Sequence, residues 1–455
     1  MRSDTSMRHD DRIKVNSKKL GSCVAMVLLH LSLASPLAAQ SDPRYIPFSP
    51  RGVKGALYAP DSGPAPHIGI LAIHRSADYM NYLGCRELSA RGYLVLCMNP
   101  RSENNEAKVI WEDNALDVGS GVSFLRAQPG ITSVLLWGWS GGGGTTSFYQ
   151  AVAESGIAYC QGANKLVECG SELADLPAAD GLILVDTNPG IAAMAIARLN
   201  GAVVNDAEIL AANRPPRIDP ELDPFSEVNG YNPSGASSYS EAFQRRYFEA
   251  QARRMNELIA IAEAKLDAIE TRGEPHPDDG VFVVVKADSA ELMSLDPSIH
   301  HSTQRPQKLL LNDGSIVRRI VDSVRLPVPQ LASDNATLAS GALLLTVRSF
   351  LSTNAMRSTN SMQDVDYCSS NNSTPCAVQA ISVPLLIAAM QANRYLQFNE
   401  MHYDLANSED KGFIVIEGAT HGQTPCVPCE SRPGQYSNAT ANFFDYVRDW
   451  IDARY

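Results

Sequence analysis

Gly138-Trp139-Ser140-Gly141-Gly142 sets a serine between glycines, directly after the apolar run Val134-Leu135-Leu136-Trp137 and just before a helical segment. The spacing fits G-x-S-x-G, in which a serine sits on a sharp turn from strand to helix and its hydroxyl stands clear of the sheet edge. A serine hydroxyl becomes a useful nucleophile only when a base takes its proton. The flanking glycines remove side chains that would clash in so tight a turn. Gly141 N–H, at the start of the helix, is a candidate oxyanion donor, because unpaired amides and the helix dipole both favour negative charge there. The turn therefore predicts acyl-transfer chemistry on Ser140. Trp139, within the turn, is a candidate to line the substrate.

Such a turn needs a sheet beneath it. Gly55–Pro60 reads as an outer strand, His67–His74 as a stronger one that runs into Arg75-Ser76-Ala77-Asp78, and Tyr93–Cys97 as the next after a helical stretch. A helix over 111–127, stopped by Pro129-Gly130, leads to the strand before Ser140, and Gly181–Asp186 supplies another beyond it. Strands alternating with helices predict a mostly parallel sheet flanked by helices. The chain returns to that sheet with Val383–Met390 and Phe413–Glu417, then enters Gly418-Ala419-Thr420-His421-Gly422.

On these features, over roughly residues 45–190 and 380–455, the chain resembles the α/β-hydrolase superfamily. The resemblance implies an α/β fold with a hydrolase core at 40–190 and 380–455 and a large, mixed, helix-rich cap insertion at 191–379. It implies that His421, in the loop after the last core strand, is the general base for Ser140. It further implies that the turn after His74 gives a second oxyanion N–H, from Arg75 or Ser76. Here the sequence departs from the family, which usually has glycine where Arg75 stands. Arg75 is either a surface or salt-bridged cation or a clamp for a substrate carboxylate. His74 is placed to hold this turn and is a second substrate-side candidate.

The triad acid is harder to place. Its usual position follows the strand ending at Met390, where Gln391-Ala392-Asn393-Arg394 offers no carboxylate. Glu400, farther along the same connection, is the favoured acid. Asp186, at the end of the preceding core strand, is the alternative, a position that some lipases of the superfamily use.

Nearly two hundred residues separate Asp186 from Pro384, too many for a structureless loop. Phe243, Tyr247, Met255, Leu258, Ala262, Leu266 and Ile269 share one helical face, broken only by Gln251, and Ser238 with Glu241 suggests a capping box at the start. This predicts one long helix ending near Gly273, then a strand at Val281–Val285. The Ser/Asn-rich stretch 358–374 reads as a surface loop.

Composition narrows the partners. The 455 residues carry a net charge of −12, and the first 39 hold six Lys or Arg against three Asp or Glu, so the remainder is more acidic still. Nucleic acid and anionic membrane surfaces are excluded as partners on this charge. Lys14, Lys18 and Lys19 precede the apolar run from Val24 and the small residues 35–39, which reads as a signal peptide at 1–39 and predicts export to a periplasmic or extracellular space. No later stretch is apolar enough for a membrane helix, so no stable membrane insertion is expected.

Eight cysteines follow Cys23, an even number in a compartment that permits disulfides. Cys160-Cys169, Cys368-Cys376 and Cys426-Cys429 are expected as local bridges, while Cys85 and Cys97 read as buried thiols. His300-His301 lack companion ligands, so no metal is expected, and no glycine loop suggests an organic cofactor. The expected function is a secreted serine hydrolase acting on a small-molecule ester or lactone. A peptidase or amidase of the same fold, and a hydrolase-fold protein that binds without catalysis, are the alternatives. Oligomeric state is not readable.

Overall fold

The computed structural model describes residues 42–50, 52–272, 280–287, 290–327 and 341–455. The expected signal peptide, 1–39, and the expected helix end at Gly273 lie outside the described residues. In chain order the strands are β1 (Arg44–Pro47), β2 (Lys54–Tyr58), β3 (Ile68–Ile73), β4 (Leu94–Asn99), β5 (Ser133–Trp139), β6 (Gly181–Val185) and β7 (Val281–Val285). There follow β8 (Gln307–Leu310), β9 (Ile316–Arg319), β10 (Ala342–Thr346), β11 (Ser358–Asn360), β12 (Asp364–Val365), β13 (Leu385–Met390) and β14 (Lys411–Ile416).

One 10-stranded sheet has the order β1-β2-β4-β3-β5-β6-β13-β14-β8-β9. From β4 through to β8 every pairing is parallel, while β1–β2, β2–β4 and β8–β9 are antiparallel. This is the α/β-hydrolase fold predicted from the sequence. Period-two alternation divides the core between the faces of the sheet. Leu71 and Ile73 of β3 pack with Trp111, Val118 and Leu125 of the helix Trp111–Arg126 and with Phe148 and Val152 of the helix Gly141–Ser155. Ile70 and Ala72 pack on the other face with Leu88 and with Phe443, Val447 and Ile451 of the helix Ala439–Asp452. Each such fully buried aliphatic or aromatic side chain stabilises the fold by about 1.5–3 kcal/mol.

The sheet is wider than expected, because the insertion feeds it. Leu309 and Leu310 of β8 pair in parallel with Val415 and Ile416 of β14, so residues 307–319 belong to the main sheet and 191–379 is not wholly a cap. Apolar Leu309 and Leu310 gain a buried place beside β14 that a cap surface would not give them. The rest of the insertion is built on the helix Glu241–Arg272. Met255, Leu258 and Ala262 pack against Phe282 and Val284 of β7 and Leu345 of β10, which form a separate antiparallel pair. Gln251 is satisfied inside this face, donating to Ala197 and Leu199 carbonyls at 2.7 and 2.9 Å.

Three local expectations need correction. Ser240, not Ser238, caps the long helix: its Oγ accepts Phe243 N–H at 3.2 Å, while Ser238 N–H donates to Gly230 O. The stretch 358–374 is no surface loop over its second half, since residues 369–374 are all buried. Asn371 and Asn372 there bridge elements, Nδ2 of Asn371 reaching Glu112 at 2.7 Å and Oδ1 of Asn372 accepting Ile191 N–H at 3.1 Å. Polar residues in the interior are tolerated because they pair off. Cys85 and Cys97 are not free thiols but a bridge from the helix Leu83–Ser89 to β4, with Cα atoms 6.2 Å apart. Cys160–Cys169, Cys368–Cys376 and Cys426–Cys429 are bridged as expected. No helix among the described residues is long and apolar enough to cross a membrane.

Candidate active site

The C-terminal ends of β3, β5, β6, β13 and β14 lie side by side along one sheet edge, and each is followed by a residue of the candidate site: His74, Ser140, Asp186, Asn393 and His421. Ligand sites gather at this edge of open α/β sheets, where the chain leaves the sheet in opposite directions.

Ser140 has φ +56° and ψ −126°, a region that costs a non-glycine residue of order 1–3 kcal/mol. The surroundings hold it there. A Cβ on Gly138 would stand 2.4 Å from Thr146 Oγ1, and one on Gly142 would stand 2.4 Å from the Ile73 carbonyl oxygen. Those glycines let the strand, the turn and the helix Gly141–Ser155 approach to contact distance, which aims the serine outward.

His421 Nε2 lies 2.9 Å from Ser140 Oγ, and its Nδ1 lies 2.6 Å from Asp186 Oδ2. A carboxylate accepts only, so Nδ1 carries the ring proton and Nε2 presents a lone pair to the serine hydroxyl. Asp186 is fully buried at φ +46°, with its N–H tied to Ala388 O of β13 at 2.6 Å. Its carboxylate also accepts Met390 N–H at 3.2 Å and Asn393 Nδ2 at 2.5 Å. The histidine loop is pinned through its backbone: Trp139 Nε1 and Gln423 Nε2 donate to His421 O at 2.8 and 3.0 Å.

Glu400 does not reach His421. It sits buried on the helix Leu396–Leu405, where Oε2 accepts Gln304 N–H at 2.6 Å and Oε1 accepts Arg305 N–H at 3.1 Å and Gln307 Nε2 at 2.8 Å. Those donors occupy the carboxylate and fix the chain leading into β8. Asp186, the alternative acid, is the one the fold brings to the imidazole. Asn393 carries no charge and so gives no sign of its role in the sequence; it occupies the very connection where a carboxylate is expected, and its amide grips the one that follows β6.

Around the expected oxyanion turn the main chain is directed elsewhere. Ser76 N–H and Ala77 N–H both donate to His74 Nδ1, at 3.2 and 2.9 Å. Ser76 Oγ and the Arg75 guanidinium both bind Glu106, at 2.9 and 2.8 Å, so Arg75 is salt-bridged. Arg75 N–H is left as the remaining donor of the two expected, alongside Gly141 N–H, which as the first helical residue has no intrahelical acceptor. Burial, then the charges of Arg75 and His421, push the His74 imidazole down to about 3, so it is neutral at ordinary pH.

Aromatic rings wall the site. Trp139 stacks on Tyr82 at 4.8 Å and lies 5.3 Å from the His421 ring, and Tyr395 meets His421 edge-on at 5.5 Å. Tyr79, whose hydroxyl donates to Trp139 O at 2.8 Å, completes the stack. Beyond Tyr395, Arg394 pairs with buried Glu291 at 3.1 Å. Trp139, expected to line the substrate, is engaged through its indole N–H in holding the histidine loop. Among the described residues no group of three or more His, Cys, Asp or Glu could hold a metal ion.

No protein-family model and no curated protein matches the sequence. Solved structures similar to it include a hypothetical protein from Pseudomonas aeruginosa, 13% identical over 92% of this chain and 96% of that one, with a TM-score of 0.40. Two others are a soluble variant of monoglyceride lipase from Saccharomyces cerevisiae (15% identity, 91% and 96% coverage, TM-score 0.37) and a proline iminopeptidase from Mycobacterium smegmatis (12%, 90% and 99%, 0.37). The chain's own strand order, its strained turn after β5 and the three side chains meeting at the sheet edge make its fold that of the α/β hydrolases.

Proposed function

We propose that this protein is a serine hydrolase that cleaves a carboxylic ester or lactone through an acyl-enzyme on Ser140. The observation that carries the reading is the unbroken chain from Ser140 Oγ to His421 Nε2 at 2.9 Å and from His421 Nδ1 to Asp186 at 2.6 Å. As Ser140 Oγ bonds to the substrate carbonyl carbon, His421 Nε2 takes its proton, and buried Asp186 stabilises the imidazolium. The tetrahedral oxyanion forms beside Gly141 N–H. Collapse expels the alcohol, which leaves with the proton from His421. Water then attacks the acyl-enzyme with His421 again as base, and the acid departs.

The order of parts along the chain is proposed with it: a signal peptide at 1–39, a hydrolase core at 40–190 and 380–455 and an insertion at 191–379 that also lends β8 and β9 to the sheet. Export is supported by four bridged cysteine pairs, which persist in oxidising compartments. A fluorophosphonate probe should modify Ser140 alone, and short-chain aryl esters should turn over faster than proline-containing peptide amides. Preference for the amides would move the assignment to a peptidase. No labelling and no turnover would leave a binding protein.

A further inference from the structure

His74 lies on the side of the site where Ser76 and Ala77 N–H are turned inward and Arg75 N–H is the main-chain donor that remains. Both of its hydrogen bonds run to Nδ1, which accepts the N–H groups of Ser76 and Ala77. A ring nitrogen that accepts two donors carries no proton, so in the neutral imidazole the proton resides on Nε2. Among the described residues that Nε2–H has no acceptor. It lies against the first residue of the elbow helix: a Cβ built on Gly141 would stand 2.6 Å from His74 Nε2. Glycine at 141 therefore lets the imidazole rest on the main chain next to Ser140. The residue also keeps part of its surface open.

Resting on the serine-hydrolase reading above, we propose that His74 is a further catalytic residue whose Nε2–H donates to the substrate oxyanion together with Gly141 N–H. The turn spends Ser76 and Ala77 N–H on fixing the tautomer and tilt of the ring, and the ring adds its own hydrogen bond to what Arg75 N–H is left to give. No proton moves in this role. When the Ser140 Oγ to carbon bond forms, the carbonyl π electrons pass to oxygen and Nε2–H strengthens its bond to that oxygen; on collapse the electrons return and the bond relaxes. A neutral donor suits the place, because a second imidazolium beside His421 would oppose protonation of the base. The depressed pKa of the ring, about 3, is consistent with that.

Two substitutions divide the ring's two functions. His74→Asn sets an amide oxygen where Nδ1 was, so the loop keeps its acceptor while the Nε2–H is lost. His74→Gln reaches the Nε2 position with an amide N–H₂. In aryl-ester hydrolysis His74→Asn should lose kcat on the order of 10²–10³-fold with KM little changed, as for removal of one oxyanion donor. His74→Gln should recover at least about ten-fold of that loss, a fraction of one donor's worth. An unaltered kcat in His74→Asn, or equal impairment of both variants, overturns the donor role. In wild-type protein the His74 Hε2 resonance should move downfield when a trifluoromethyl ketone forms a tetrahedral adduct; a resonance that stays put overturns the role without recourse to a variant. Wild-type protein that is not labelled at Ser140 by fluorophosphonate brings down the underlying reading and this inference together. Labelling at Ser140 with full kcat in His74→Asn brings down the inference alone.

Discussion

Asn393 Nδ2 donates to Asp186 Oδ2 at 2.5 Å, joining the ends of two neighbouring parallel strands, β6 and β13, by one short polar contact. The buried carboxylate thereby has three protein partners: Met390 N–H, Asn393 and His421. An acid so held has one orientation, and the imidazole inherits it.

The first expectation concerns the acid. Asp186→Asn keeps the shape but removes the charge that stabilises the imidazolium, and it no longer enforces the Nδ1–H tautomer. Turnover of an aryl ester should fall by about 10⁴-fold. Glu400→Gln should leave kcat near wild type and act on stability instead, costing about 1–3 kcal/mol by weakening charge-assisted bonds to two partly buried main-chain N–H groups. Saturating-substrate kcat and urea midpoints on both variants check this. A severe kcat loss confined to Glu400→Gln would reverse the assignment.

Asn393 gives a second expectation. Asn393→Ala should lower kcat by about ten-fold, because a positioning contact to the acid is lost while the triad remains, a neighbour-coupled effect. Asn393→Asp should be worse than Ala, since a second carboxylate against Asp186 cannot ionise with it and one of the two must take a proton. If Asp proves as active as Asn, the amide is not what orients Asp186.

Much of this architecture was legible in the sequence, and what was missed has physical reasons. The strand before Ser140, the strained turn and His421 were readable because backbone sterics leave few residue types that fit them. Asp186 was readable only as the alternative, because the choice between it and Glu400 depends on which carboxylate finds other donors first. Glu400 finds Gln304, Arg305 and Gln307, all from the distant segment that leads into β8 and opens it, and sequence spacing does not reveal that meeting. The pairing of β8 with β14 escaped for the same reason, since parallel pairing across about a hundred residues leaves no local pattern. Cys85 and Cys97 sit on apolar elements whose periodicity suggests buried thiols equally well; only the packing of the helix Leu83–Ser89 on β4 puts them in bonding reach.

That bridge leads to a third expectation. It ties positions 12 residues apart, and in the chain-entropy model such a loop is worth about 3 kcal/mol. Replacing both Cys85 and Cys97 by alanine should lower the urea unfolding free energy by roughly that amount, with some further loss from the cavity left by two buried sulfurs, about 1 kcal/mol or more. Ester turnover at 25 °C should be retained, because the bridge lies beneath the sheet edge and contacts none of the triad. Non-reducing peptide mapping that finds both thiols free in the purified protein would contradict the bridge directly.

The last expectation concerns acid. His402 is fully buried on the helix Leu396–Leu405, neither ring nitrogen meets a hydrogen-bond partner among the described residues, and burial pushes its pKa down to about 3. Its unfolded value is about 6.5. Above that value both states are neutral and the group has no effect on stability. As pH falls from 6.5 towards 3 the unfolded chain binds a proton that the folded one refuses, so stability is lost with falling pH, by up to about 1.4 kcal/mol for each unit traversed. Below about 3 the loss levels off. His74 and His300, held near 3 and 4, act with the same sign, so the wild-type protein should be acid-sensitive over this window. His402→Leu removes one of the three contributions and leaves the others. Urea unfolding free energies measured at pH 7.5, 6, 5 and 4 should show the variant gaining on wild type only below about 6.5, whatever constant packing cost it carries. A difference between the two proteins that stays flat across the series would mean that His402 is protonated in the folded state, or is reached by a partner that accepts its proton.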